Sequence, residues 1–387
     1  MAKPADQIRK KIQAGAAELD ARLVSRQQVT RSLLVAAIAG HHVILLGPPG
    51  TAKSYQARLF AQACGGTYFE RLVQKFSTPD ELFGPVKLSA LKQDRFERNI
   101  AGKLPEAEVA FLDEVGKASS AILNSLLTAL NERIYHNDGQ PVQIPLQLCV
   151  AASNEYFGED LAALWDRFTV RHWVEYSNAP QALRELRSKR NYAQKHPMRQ
   201  VFTVRDIMAA RDCAKQLPFS GQYEDAFWQV KAELAQSQIR ISDRRAMQCD
   251  DLCQTFAWYE GATEVGPEHL LILSDVLWEH HDQRPTVQQV VGKASQSQSA
   301  AAQRVYDALA LMLQQAPKAV PDNTEELNQF VTHCSVFTRE AKTAKSKIKQ
   351  LAEGQGPNMQ KACEQLIEKI DQSIQPLQQM VKSAAGL

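Results

Sequence analysis

Apolar positions along the chain change their spacing twice. Residues 5 to 20 keep a helical period, and Ser25 stands where an N-cap opens a second helix that runs to Gly40. The period then breaks. HHVILLG (41 to 47) is an unbroken apolar run stopped by Gly-Pro-Pro-Gly, the pattern of a strand covered on both faces. Similar runs follow at TYFERLV (67 to 73), EVAFLDEV (108 to 115) and LQLCVAASN (146 to 154), with FTVRHWVEY (168 to 176) a fifth. Helical patterns, notably 53 to 64 and 119 to 133, separate most of them. Strand and helix in alternation predict an α/β fold: a mostly parallel sheet with helices on both faces.

Beyond residue 178 the strand signals stop. Helices are expected over 180 to 195, 205 to 217, 222 to 239, 243 to 260 and 267 to 281, with a small core built around Trp228, Trp258 and Trp278. From Pro285 the composition shifts to Gln, Ala, Ser and Lys. Helical segments near 286 to 316, 323 to 353 and 357 to 384 are broken by Pro317, Pro321, Gly354, Gly356 and Pro357, which suggests a helical hairpin or three-helix bundle. The Gln-rich stretch 294 to 303 is read as ordered helix, because Val305, Leu309 and Leu313 keep the spacing. Three domains result: an α/β core over 1–178, an α-helical lid over 179–285 and a C-terminal helical region over 286–387.

The segment that carries chemistry is Gly47-Pro48-Pro49-Gly50-Thr51-Ala52-Lys53-Ser54, between a buried strand and a helix. That is the context a phosphate-binding loop needs: backbone N–H groups face an anion, the helix N-terminus adds its dipole, Lys53 reaches the β and γ phosphates, and Ser54 can ligate Mg²⁺. Ala52 stands where a second glycine is usual, so a non-glycine backbone conformation is expected there. Next, Val109-Ala110-Phe111-Leu112 runs into Asp113 and Glu114 at a strand end. Asp113 there would hold Mg²⁺ through water, and Glu114 would polarise the attacking water. Asn154 ends the strand LQLCVAASN and could orient the same water. Arg167, in Leu164-Trp165-Asp166-Arg167-Phe168, could reach the γ-phosphate of a neighbouring subunit, with Arg171 as the alternative finger. Ser242-Asp243-Arg244-Arg245 begins a helix whose arginine can contact nucleotide across the domain cleft.

In this order the pieces resemble an AAA+ ATPase, and GPPGTAKS, FSTPDELFGP (76 to 85), LPEAEVAFLDE (104 to 114), ILNSLLTALNER (122 to 133) and VAASNE (150 to 155) are similar to the MoxR branch, closest to RavA-like regulatory ATPases. The resemblance covers about residues 7 to 285. It implies an AAA+ P-loop αβα core followed by an all-α lid, ATP and Mg²⁺ as cofactors, and a homo-oligomeric ring, by family a hexamer. It also places a helix-2 insert within 83–104, a hairpin within 135–145, where Asp138-Gly139 supports it directly, and the lid arginine at Arg244 with Arg245 as fallback. The activity implied is chaperone-like remodelling of a protein client, with a von Willebrand factor type A (vWA) partner. RavA's further β-rich region after the lid has no counterpart here, which leaves partner contacts made through it open. Alternative readings are a nucleic-acid-stimulated motor, an ATP-switched scaffold and a metal-chelatase motor subunit.

Composition narrows these. With 387 residues, 44% hydrophobic and 23% charged, the chain can bury a large core and is not a disordered one. Lys+Arg 45 against Asp+Glu 43 leaves a net charge of +2, so no global field draws it to nucleic acid. The basic stretch Arg184 to Arg199 lacks interleaved stacking aromatics and reads as a solvated connector into the lid. Seven scattered cysteines fit reduced thiols; Cys249 and Cys253 share a helical face but lack a second ligand pair for zinc. The pairs His41-His42 and His280-His281 read as structural. No apolar run approaches the roughly 18 residues that would span a bilayer, and residues 1 to 13 lack a signal-peptide core, so a cytoplasmic protein is expected.

Overall fold

The computed structural model describes residues 4–155, 161–177, 182–295, 298–313, 316–317, 321, 324–353 and 357–384. The chain divides into two compact units: Met1–Leu217, Lys231–Tyr259 and Ile272–Gln289 form one, and Pro218–Val230, Glu260–Leu271 and Val290–Leu387 the other. This division cuts across the lid interval expected over 179–285.

The first unit opens with α1 (Pro4–Asp20) and α2 (Gln27–Ala39), followed by β1 (Val43–Leu46), α3 (Lys53–Cys64) and β2 (Tyr68–Leu72). Short helices α4 (Pro79–Phe83) and α5 (Leu88–Leu91) lead to β3 (Val109–Asp113), α6 (Ser120–Glu132), the hairpin β4 (Ile134–Asn137) and β5 (Gln140–Gln143), and β6 (Leu148–Ser153). After α7 (Ala162–Trp165) and β7 (Val170–Trp173) come the helices α8 (Ala182–Lys195), α9 (Val204–Ala214), α10 (Gly221–Gln236) and α11 (Asp243–Glu260). Five strands form a parallel sheet in the order β2-β3-β6-β1-β7. Every residue of β1 and β6 is buried, which is why their sequences are apolar without alternation.

Four local features differ from expectation. β2 is a sheet edge and only Phe69 in it is buried, so its apolar run is not a doubly covered strand; Glu70 and Arg71 face outward and pair with Arg58 and Glu81. Ser25 does not cap α2. It lies in the left-handed region at φ 55°, and Arg26 occupies the N-cap, held by a 2.8 Å bond to the Glu175 carbonyl. The expected helix over 267–281 is a 3-10 segment, Pro267–Asp275, in which the fully buried Leu270 and Leu273 are spaced by its period of three, with the buried Val276 just beyond its end. Trp228 is 63% exposed and is not a core residue, whereas Trp258 and Trp278 are buried. Trp278 packs on Trp165 with ring centroids 6.2 Å apart, and the chain around it covers β7: His281 lies against Trp173 and Asp275 against His172.

The insert between α4 and β3 is tied to the β4–β5 hairpin. The Asp138-Gly139 turn has positive φ at both residues, and the Asp138 carboxylate accepts from the Phe96 N–H at 2.7 Å and from Arg95 Nε at 3.1 Å. Asn137 both accepts from the Arg98 N–H and donates to the Arg98 carbonyl.

α12 (Arg284–Ala294) and α13 (Gln298–Leu313) replace the single expected helix over 286–316. In the second unit α13, α14 (Thr324–Ala352) and α15 (Pro357–Ala384) form a three-helix bundle whose core includes Ala302, Cys334, Ile348 and Ile370.

Candidate functional site

The sheet order explains which residues meet. β3, β6 and β1 are neighbours, so the chain leaving their carboxyl ends brings Asp113-Glu114, Asn154 and the loop Gly47–Ala52 together. Gly47 sits at φ +132°, and a Cβ there would lie 2.3 Å from the Val174 carbonyl oxygen, so the loop can leave β1 this way only at glycine. Thr51 Oγ1 donates to the Pro48 carbonyl at 3.0 Å and closes the turn, while Tyr176 donates to the Pro49 carbonyl. Ala52 occupies the left-handed region at φ 66° and ψ 27°, contrary to the non-glycine conformation expected for it. Glu114 is left-handed as well, at φ 53°. Non-glycine residues held there store of order 1–3 kcal/mol, and such strain gathers at functional sites.

Lys53 is the first residue of α3 and is buried, and Ser54 beside it is half-buried. Lys53 Nζ donates to the Gly47 carbonyl at 2.7 Å, the Pro48 carbonyl at 3.0 Å and Asn154 Oδ1 at 3.2 Å. Asn154 Nδ2 in turn donates to Glu114 Oε1, and Glu114 Oε2 lies 3.3 Å from Lys117 Nζ. The Glu114 N–H donates to Asp113 Oδ1 at 3.1 Å. Burial lowers the Lys53 pKa despite the opposing pull of Asp113 and Glu114, and burial, then the Glu114 charge, raises that of Asp113. Lysine, two carboxylates and a strand-tip amide thus form one continuous polar chain.

A cavity of about 600 Å³ adjoins the loop, lined by Gly50, Thr51, Ala52 and Tyr55 on one side and by Arg22, Arg26, Tyr176, Leu186 and Lys189 on the other. Lys189 donates to the carbonyls of Asp20 and Leu23, each at 2.5 Å, and so docks α8 on the end of α1. Sequence reading missed Arg26, Tyr176 and Lys189 as cavity residues. Only Lys189 carried a signal, inside the basic stretch.

The arginines separate by burial. Arg171 is 1% exposed; it donates to the carbonyls of Trp278, Phe168 and Trp165 and lies over the Trp165 ring. It cannot reach beyond its own fold, which removes it as the alternative finger. Arg245, the fallback lid arginine, is 8% exposed. Arg167 and Arg244 are more accessible. Both present Nη1 to Asp166 Oδ2 at 3.2 Å, and Arg244 Nη2 donates to Asn131 at 2.8 Å. Arg244 is therefore bonded beside Arg167 and not to the loop.

The family model for the MoxR domain of MoxR–vWA–β-propeller ternary systems matches residues 10–210, more than half of the chain. The chain belongs to the MoxR family of AAA+ ATPases. A model for an AAA lid domain matches residues 223–291 of this MoxR-family chain. It is 36% identical to an uncharacterised protein, MJ0812, of Methanocaldococcus jannaschii over 69% of the chain and 71% of that protein. It is 25% identical to the chaperone MoxR1 of Mycobacterium tuberculosis over 42% of the chain and 44% of that protein. The crystal structure of a candidate ATPase from Cytophaga hutchinsonii superposes with a TM-score of 0.61 over 75% of the chain and 94% of that one; at 16% identity this likeness shows the fold alone.

Proposed function

We propose that this MoxR-family ATPase hydrolyses Mg²⁺-ATP at the loop Gly47–Ser54, with the chemistry carried by the polar chain Lys53–Asn154–Glu114 and its neighbour Asp113. Gly47, Pro48, Pro49, Gly50, Thr51 and Ala52 wrap the phosphates, and the 600 Å³ cavity takes the base and ribose. Lys53 exchanges its neutral carbonyl acceptors for phosphate oxygens, a stronger charge-assisted pairing. The donor set fits Mg²⁺: the Ser54 hydroxyl lies next to Lys53, Asp113 offers a carboxylate, and the metal would neutralise phosphate charge. Glu114 accepts a proton from the attacking water, which Asn154 orients, and the products are ADP and phosphate.

Arg167 serves a nucleotide held by a neighbouring copy. Arg244, expected from the sequence to contact nucleotide across the domain cleft, is reassigned to the same neighbouring nucleotide because it is bonded beside Arg167, so activity requires a homo-oligomeric ring, by family resemblance a hexamer. Their shared attachment to Asp166, away from the loop of their own chain, supports this reading. Motion between the core over 1–178 and a lid over 179–285 then drives the insert and hairpin against a protein client. The matched model's description supports a vWA partner, and the name of the Mycobacterium tuberculosis relative supports chaperone-like work. No helix among the described residues is long and apolar enough to cross a membrane, and we place the activity in the cytoplasm.

Glu114→Gln tests the core of the reading. ATP binding is expected within a fewfold of the parent and turnover lowered by about 10² or more. Turnover above a tenth of the parent's would overturn it, and a vWA-domain protein captured on the nucleotide-trapped variant would extend it.

A further inference from the structure

The face that carries Arg167 is rich in guanidinium groups. Arg167 and Arg244 contact Asp166 directly, and Arg171 and Arg245 feel its charge together with that of Glu279. Arg171 is committed to backbone carbonyls, and Arg245 Nη1 lies 3.3 Å from Gln248. The two accessible guanidiniums converge on one oxygen of a single half-exposed carboxylate, Asp166 Oδ2. Arg167 also keeps a buried Nε with no hydrogen-bond partner. Asp166 sits at the end of α7 and Arg244 on the first turn of α11, so this one side chain joins the tip of the sheet domain to a helix far along the chain.

We propose that Asp166 is a positioning residue that holds Arg167 and Arg244 side by side as a stand-in anion, so that both guanidiniums transfer together to the terminal phosphate of a nucleotide bound by a neighbouring copy. The proposal rests on the reading that Arg167 acts between subunits. A carboxylate is suited to this. It matches a phosphate oxygen as an acceptor for guanidinium, and at a half-exposed position its hold on each arginine is weak enough to be exchanged. A surplus of positive charge on the same face favours the incoming phosphate once Asp166 releases it.

The test measures kcat and KM for Asp166→Ala, with Asp166→Glu as the conservative variant. Loss of a shared pose is expected to lower kcat roughly 100-fold, with KM changed only a fewfold, and Glu is expected to recover much of it. Asp166→Ala added to the Arg167→Ala/Arg244→Ala double variant should lower kcat by less than about twofold more, because there is nothing left to position. A further large loss in that background means that Asp166 acts on the fold and overturns the proposal. Mixing separates the proposal from its premise. Glu114→Gln chains keep their arginines and Asp166→Ala chains keep Glu114, so mixed assemblies should regain hydrolysis, as should Arg167→Ala mixed with Glu114→Gln. Recovery with Arg167→Ala but none with Asp166→Ala overturns the role of Asp166 alone. No recovery in either mixture overturns action between subunits, and the proposal with it.

Discussion

Ala52 puts a Cβ into left-handed backbone at the point where the loop turns into α3. Relaxing that strain with glycine is partly offset by the entropy glycine gains on unfolding, so Ala52→Gly should stabilise the chain by less than about 1 kcal/mol. A branched side chain there should destabilise it by about 2 kcal/mol, so chemical denaturation of Ala52→Gly and Ala52→Val should give shifts of opposite sign. The two candidate finger arginines should part just as clearly. Removing Arg171 strands three carbonyls and empties a packed site, at a cost of about 2–5 kcal/mol, whereas Arg167→Ala should leave the melting transition in place and lower turnover about 10³-fold, to a slow but measurable rate. His42 is wholly buried, accepting from the Cys149 N–H at Nδ1 and lying 3.1 Å from the Leu130 carbonyl at Nε2. Burial and the nearby Arg133 hold its pKa well below 6.5, and burial likewise lowers that of His172. In both cases the unfolded chain takes up the proton first, so their stabilisation is present above the ordinary histidine pKa and is lost as pH falls through the folded values. Unfolding free energy should therefore decline on acidification, and His42→Gln should flatten that slope; an unchanged slope would show that His42 does not contribute.

At the level of elements, the insert and the β4–β5 hairpin behave as one piece because Asn137 and Asp138 bond to the insert backbone at Phe96 and Arg98. Asp138→Ala should speed hydrogen exchange and proteolysis over 84–104 by about tenfold and leave nucleotide binding unchanged, since neither element lines the loop. This junction was only half legible in the sequence. The hairpin turn announced itself through Asp138-Gly139, but the same Asp that shapes the turn also holds the insert, and no local pattern records a partner some forty residues away. The loop, Asp113-Glu114 and Asn154 were readable because buried parallel strands leave long apolar runs that stop abruptly at polar tips. β2 was misjudged because an edge strand can look just as apolar, and the 3-10 segment because its three-residue repeat sits close to the helical one. On the far side of the cavity only Lys189 left a trace, inside the basic stretch; Arg26 and Tyr176 left none, since that side is assembled from three separate parts of the chain.

At the scale of the whole molecule, every residue assigned to phosphate and metal chemistry belongs to the first unit, and the three-helix bundle of the second has a core of its own. Removing 298–387 should therefore leave ATP affinity within about threefold, measured by a fluorescent nucleotide, while a cut at 286 would remove part of the first unit and should impair folding. The parallel sheet has a mechanical corollary. Asn154 and Glu114 hang from interior strands that are paired on both sides, while Arg167 and Arg244 ride on a surface turn and a helix start. On the proposed mechanism one half of the hydrolytic machinery is an anvil and the other a hammer, and variation that tunes the speed of the cycle should accumulate on the hammer.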